Sequence, residues 1–238
     1  VQKSSDYAYT WHDKSRPGAG FGSGFVHWGN VAKDDAGSAT KPKGRERRSA
    51  LLRRLPRGGL IGYHATPILA RLYRAKEAQE LRYPKKAHYD AVFPLHGSEG
   101  YFTLFGQRGF HEAQWLVPMD HMEPVVDHLE AAVRDDKLPI ALASAKLFDA
   151  DASLLRYSGK GVSFTLNLPR TRGAAKALGD LDRLMIGIGA RPNLIKDGRL
   201  SVSVVEASYP DIDLFRKRLQ HFDPARIFRS ELSERLAL

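Results

Sequence analysis

The strongest chemical signal in the chain is ten residues long: Arg191-Pro192-Asn193-Leu194-Ile195-Lys196-Asp197-Gly198-Arg199-Leu200. An apolar helical pattern runs into it and a second one leaves it, so Lys196 stands at a turn between two packed elements. A lysine held in that way presents its ammonium with little positional freedom, which suits an anion site or an electrostatic catalyst. The same residue also reads as a solvated turn lysine, the commoner state of that side chain. The elements around it have to decide.

Those elements alternate between two periods. Tyr7 to Trp11 alternates large and small residues as a strand does, and Phe25 to Trp28 follows a loop punctuated by Pro17, Gly18, Gly20, Gly22 and Gly24. Pro67 opens a helix that runs to about Leu81. Ala91 to Leu95 reads as a short strand confined to an edge by Pro94, and Glu112 to Val117 as the next. A helix starts at Pro118-Met119-Asp120 with Met122, Val125, Val126, Leu129 and Val133 on one stripe.

In the second half, Ile140 to Phe148 is strand-like and sets Lys146 among apolar neighbours, where a buried ammonium is costly. Val162, Phe164, Leu166 and Leu168 then alternate with Ser163, Thr165 and Asn167. One side of that strand is core. The other is either a wet sheet surface or the floor of a ligand cavity. Gly173 to Gly189 is helical, Val202 to Tyr209 and Ile212 to Phe222 are short helices broken at Pro210, Phe222 to Phe228 is a turn, and Ser230 to Leu238 is a last amphipathic turn. The pattern predicts an α+β fold, an antiparallel sheet flanked by helices, followed by a helical C-terminal segment. No internal repeat is evident.

Composition narrows the function classes. At 238 residues the chain can bury a full core, and no stretch nears the roughly 20 apolar residues of a membrane helix. The polar start, Val1 to Asp6, shows no signal peptide, and the lack of an initiator Met reads as a chain that begins mid-protein. The absence of cysteine excludes thiol nucleophiles, disulfides and thiolate metal sites. His121 and His128 are seven apart with no acidic cluster to complete a metal site. No zinc-protease, P-loop, nucleophile-elbow or dinucleotide-glycine motif occurs.

The net charge of +10 is local. Lys41, Lys43, Arg45, Arg47, Arg48, Arg53, Arg54 and Arg57 face only Glu46 in their segment, and the rest of the chain is nearly balanced. This Gly/Ala/Ser/Pro-rich stretch within 31–60 reads as a mobile solvated loop. Leu51, Leu52 and Leu55 between arginine pairs leave open an amphipathic turn on an anionic membrane. Nucleic acid is disfavoured, because no aromatic residues interleave the arginines for stacking.

A set of short motifs in a fixed order carries a resemblance. They are Tyr9-Thr10-Trp11, Phe93-Pro94-Leu95, Arg108-Gly109-Phe110 with Gln114-Trp115 and Val117-Pro118, Lys146-Leu147-Phe148, Lys196-Asp197 with Arg199, and the tail from Phe222-Asp223-Pro224 through Arg226, Phe228, Ser230 and Leu232 to Arg235-Leu236. From Tyr7 to its end the chain resembles the C-terminal half of a flavin-dependent oxidase of the vanillyl-alcohol-oxidase superfamily. Within it, the chain is similar to the decaprenylphosphoryl-ribose oxidase branch, the flavoprotein subunit of a 2'-epimerase.

The resemblance implies a substrate-binding domain over 1–190. It implies that 191–238 completes an FAD-binding domain whose main part precedes Val1, so that this chain alone holds FAD poorly and is inactive. Lys196 then matches the lysine at the flavin ring edge and substrate hydroxyl, with Asn193 beside it on the cofactor side. Lys146 matches a second pocket lysine whose charge a substrate phosphate would offset. Gln114 matches a polar pocket residue and Trp11 a pocket wall. Thr165 stands where the mycobacterial branch has a cysteine, Glu112 where a glutamine is usual, Ser163 where an asparagine is, and His96 where an acid follows Pro-Leu. These departures all face the substrate.

The activity implied is oxidation of a sugar hydroxyl by hydride transfer to FAD, with the keto product passed to a short-chain NAD(P)H-dependent reductase. The implied location is cytoplasmic, peripheral at the inner membrane face. An aldonolactone or alditol oxidase is the second enzyme reading. A non-enzymatic α+β module with a basic membrane-surface loop is the third.

Overall fold

A computed structural model describes residues 5–31, 59–80 and 100–238. One antiparallel sheet contains β1 (Tyr7–His12), β2 (Gly24–Gly29), β3 (Phe110–Val117), β4 (Leu142–Asp149), β5 (Lys160–Pro169) and β6 (Arg191–Pro192), in the order β2-β1-β4-β5-β3-β6. The helices are α1 (Thr66–Glu80), α2 (Gly100–Thr103), α3 (Met122–Asp135), α4 (Arg172–Gly187), α5 (Val202–Ser208), α6 (Ile212–Phe222) and α7 (Glu231–Arg235). This is the α+β arrangement that the periodicity predicts. The expected strand at 91–95, His96 and the basic segment at 41–57 lie outside the described residues.

The long strand β5 organises the sheet. Its apolar set, Val162, Phe164, Leu166 and Leu168, joins Ala113, Trp115 and Val117 of β3 against one side. There the apolar stripes of α3 (Val125, Leu129, Val133) and α4 (Leu178, Leu181, Met185) close the main core. Each of these side chains contributes on the order of 1.5–3 kcal/mol by leaving water. Local chemistry fixes the ends of α4: the Thr171 hydroxyl accepts from the Ala174 N–H at the start. Past the end, Gly189 takes φ +69°. Gly161 lets β5 approach β3, because a Cβ there would lie 2.3 Å from the Val117 carbonyl oxygen.

Register sets out the opposite face in rows. Direct pairing places Phe25, Trp11, Ser144, Thr165 and Gln114 in line across five strands. Lys146, Ser163, Leu116 and Arg191 form the row on one side of it, and Leu142, Asn167 and Glu112 the row on the other. Lys146 is exposed, contrary to the burial that its apolar neighbours suggest. Strand alternation sends Ala145 and Leu147 to the other face, so the neighbours in sequence are not its neighbours in space.

Beyond α4 the chain forms β6, a two-residue strand that pairs with β3 and that the sequence did not announce. A one-turn 3-10 helix, Leu194–Lys196, follows. The C-terminal helices gather a second, smaller core of Leu194, Leu200, Val205, Tyr209, Ile212 and Leu236. The Tyr209 hydroxyl donates to the Pro192 carbonyl, which ties this core to the sheet edge, and burial pushes its pKa up to about 12.

Candidate functional site

The face of the sheet turned away from α3 and α4 is not the wet surface that an antiparallel sheet usually shows. Ser163, Thr165 and Asn167 are only 1%, 7% and 2% exposed. Their burial is achieved with polar partners. Gln114, directly across from Thr165, donates from Nε2 to the Thr165 hydroxyl at 2.7 Å and to the Ser163 hydroxyl at 3.2 Å. Tyr157, from the loop before β5, donates to Ser163 at 2.9 Å. Burial holds the Tyr157 phenol well above its ordinary pKa, although the Ser163 bond offsets part of that rise. On the other side of Thr165, the Tyr101 hydroxyl of α2 lies buried beside the Asn167 side chain, and neither that hydroxyl nor Asn167 Oδ1 closes a well-formed hydrogen bond.

Asn193 bridges this floor to the turn that carries Lys196. Its Nδ2 donates to Gln114 Oε1 at 2.6 Å, its Oδ1 caps the 3-10 turn by accepting from Ile195 N–H at 3.2 Å, and its own N–H donates to the Gln114 carbonyl. Lys196 then reaches back over β3, its Nζ 3.4 Å from the Glu112 carboxylate. The pair is half-exposed, with side chains 47% and 26% accessible, so its net stabilisation is small.

The far side of the turn is fastened by charge. Arg199 forms a fork to Asp182 of α4, and Arg235 of α7 reaches Asp197 at 3.4 Å and the Leu200 carbonyl at 2.6 Å. Asp197 itself accepts from the N–H groups of Arg199 and Leu200. Lys196 therefore sits between a capped turn and a buried ionic clasp.

Of the residues singled out by sequence, Glu112, Gln114, Ser163, Thr165, Asn193 and Lys196 come together on this face. Lys146 lies opposite Ser163 at the edge of the group. Trp11 shares the row of Thr165 but is two strand spacings away, about 10 Å. It is buried against Phe25 and Tyr73, so it bounds the face without touching the hydrogen-bonded floor. His96 lies outside the described residues. Sequence reading missed Tyr157, which arrives from an irregular stretch, and Tyr101, whose four-residue helix is too short to show a period. It also missed Ser144, which the clean alternation of β4 would have placed beside Thr165.

At the Leu116 and Arg191 end of the neighbouring row, a cleft of about 300 Å³ opens between Gly159, Lys160, Asp151 and Arg191. Among the described residues no cluster of His, Asp or Glu is placed to hold a metal, and no helix is long and apolar enough to cross a membrane.

Fold and site together define an antiparallel α+β domain with one covered polar face, entered by a lysine from a fastened turn. No protein-family model matches the chain. It is 27% identical to decaprenylphosphoryl-beta-D-ribose oxidase of Mycolicibacterium smegmatis over 135 residues, 56% of this chain and 29% of that protein. It is 31% identical to an uncharacterized protein in the mprA 5' region of Streptomyces coelicolor over 118 residues, 49% of this chain and 32% of the relative. The chain thus spans about a third of the length of these curated relatives.

Proposed function

We propose that this chain is the substrate-binding portion of an FAD-dependent oxidoreductase that oxidises a hydroxyl of a sugar-like substrate of the polyprenylphosphoryl-pentose kind. One observation carries the reading: a cation, a carboxylate and an amide-hydroxyl floor converge on one sheet face, in a chain similar to an oxidase of such a substrate. The chemistry of the donor set fits the ring edge of a flavin. Lys196 offers a half-exposed ammonium, and Ile195 beside it is 87% exposed, an apolar surface next to a charge. FAD, when bound, supplies the hydride acceptor, and a cation at its edge favours the electron-rich form.

The chain's own residues then do the following. Gln114, Thr165 and Ser163 hold the substrate's oxygens. Lys196 and Glu112, whose exposed pairing is weak, exchange each other for the cofactor edge and the reacting hydroxyl. As the carbon gives up hydride, the hydroxyl proton leaves to a base, and Glu112 is the carboxylate this face offers. The keto product suits a second, NAD(P)H-dependent reduction by a short-chain enzyme. The acidic Glu112 on the substrate face favours one alternative, an aldonolactone or alditol oxidase acting on a small polyol.

The test uses the protein in which this chain is joined to its flavin-binding portion. Candidate sugars are added anaerobically and the long-wavelength flavin absorbance is followed. The proposal expects bleaching by a polyprenylphosphoryl pentose. Bleaching by free alditols alone would select the alternative, and bleaching by neither would remove the oxidase reading.

A further inference from the structure

The hydrogen bonds of the floor have a direction, and a single backbone group sets it. The Ile195 N–H is able only to donate, and it donates to Asn193 Oδ1 at 3.2 Å. This fixes the amide of Asn193 with Nδ2 toward Gln114, and so the Gln114 atom 2.6 Å away has to be its acceptor, Oε1. The Gln114 Nε2 is thereby turned to β5, where it donates to Thr165 and Ser163. Ser163 also accepts from Tyr157, which burial keeps protonated.

Both hydroxyls are therefore occupied as acceptors and each retains its own hydrogen, for which the described residues supply no acceptor. A buried donor left without an acceptor costs about 1–3 kcal/mol, so the Ser163 and Thr165 hydroxyls carry an unmet demand for lone pairs, whereas Asn167 Oδ1, farther along the face, lacks a donor. Lys146, opposite Ser163 on the same face, adds an ammonium without a partner among the described residues.

We propose that Asn193 is a positioning residue that polarises this floor, making it a row of donors that takes an oxyanion of the ligand, a phosphate or a carboxylate. The proposal rests on the reading that this face binds substrate, and it deepens that reading by naming the group the floor receives. Asn193 acts through Gln114 and Thr165 and touches no reacting atom.

The test uses the 238-residue chain with isotopic labels and two readouts, neither of which involves flavin or sugar oxidation. In the wild type the Gln114 Nε2 protons show nuclear Overhauser contacts to the Thr165 methyl. In Asn193→Asp the new carboxylate still accepts from Ile195 N–H but has nothing to donate, so Gln114 turns over and those contacts move to residue 193. Contacts to Asn193 in the wild type, or no change in the variant, would overturn the relay.

The second readout titrates the chain with inorganic phosphate and, separately, with acetate, following the Thr165 and Ser163 resonances. Thr165→Val, which changes no charge, weakens the preferred anion about tenfold, as loss of one hydrogen bond to a charged group predicts. Ser163→Ala serves the same purpose should the valine variant fail to fold. Tighter phosphate binding identifies a phosphate ligand, and tighter acetate binding a carboxylate. No binding of either by the wild type, or equal binding by the variants, refutes the oxyanion. A relay that survives while sugars fail to bleach the flavin would separate this proposal from the oxidase reading.

Discussion

Val162, Phe164, Leu166 and Leu168 turn one face of β5 to α3 and α4, while Ser163, Thr165 and Asn167 turn the other to Gln114, Tyr157 and Tyr101. Both sets are buried to nearly the same degree. They are stabilised by different physics. The apolar face rests on area removed from water, which has no direction and tolerates exchange of shape. The polar face rests on hydrogen bonds that must each find a donor and an acceptor, so it tolerates little. The polar side of this strand is thus the one whose partners are specified atom by atom.

The largest expected effect breaks the apolar side. Phe164→Ala should cost about 3–5 kcal/mol, measured by denaturant unfolding. A loss below 1 kcal/mol would mean that α3 and α4 do not close the core as described. On the polar side, Gln114→Leu strands the Asn193 amide and the Thr165 hydroxyl at once, and should cost about 2 kcal/mol despite adding apolar surface. Stabilisation by the leucine would erase the contrast between the faces.

Lys14 sharpens the contrast from the core side. It is 4% exposed, its ammonium lies 4.3 Å from the centre of the Phe21 ring, and burial lowers its pKa to about 8 while Glu130 acts weakly in the other direction. The unfolded chain, with a lysine near 10.5, binds more protons than the folded one between these values. Stability should therefore rise with pH from about 8 toward 10, by up to about 1.4 kcal/mol per unit. Thermal melts across that window check it, and Lys14→Met should flatten the rise. The smallest effect belongs to Lys196→Ala: under about 0.5 kcal/mol on stability, because its ion pair is exposed. In the protein that joins this chain to the flavin-binding portion proposed for it, the same substitution should abolish turnover, and near-normal activity would remove Lys196 from the site.

Much of the fold was legible because β5, α3 and α4 have strict periods of two and 3.6 residues, and these periods place their side chains without knowledge of their neighbours. Lys146 shows where local reading fails, since the apolar residues beside it in sequence point the other way in space. For the site, the residue types at Gln114, Thr165 and Lys196 were readable, but not their connection. That connection passes through Asn193, whose role depends on β6, and two residues with a proline give no strand pattern to read. The clasp of Asp182, Arg199, Asp197 and Arg235 spans α4 to α7, a separation that no local window contains.

Pro192 ends β6 and has no N–H to offer an incoming strand. At that position the sheet edge offers an incoming strand no donor. At the opposite margin, β2 shows Val26 and Trp28 half uncovered among the described residues, which favours sheet growth there. Concentrated solutions should aggregate through β2 sooner than through β6, and Val26→Lys should keep them clear.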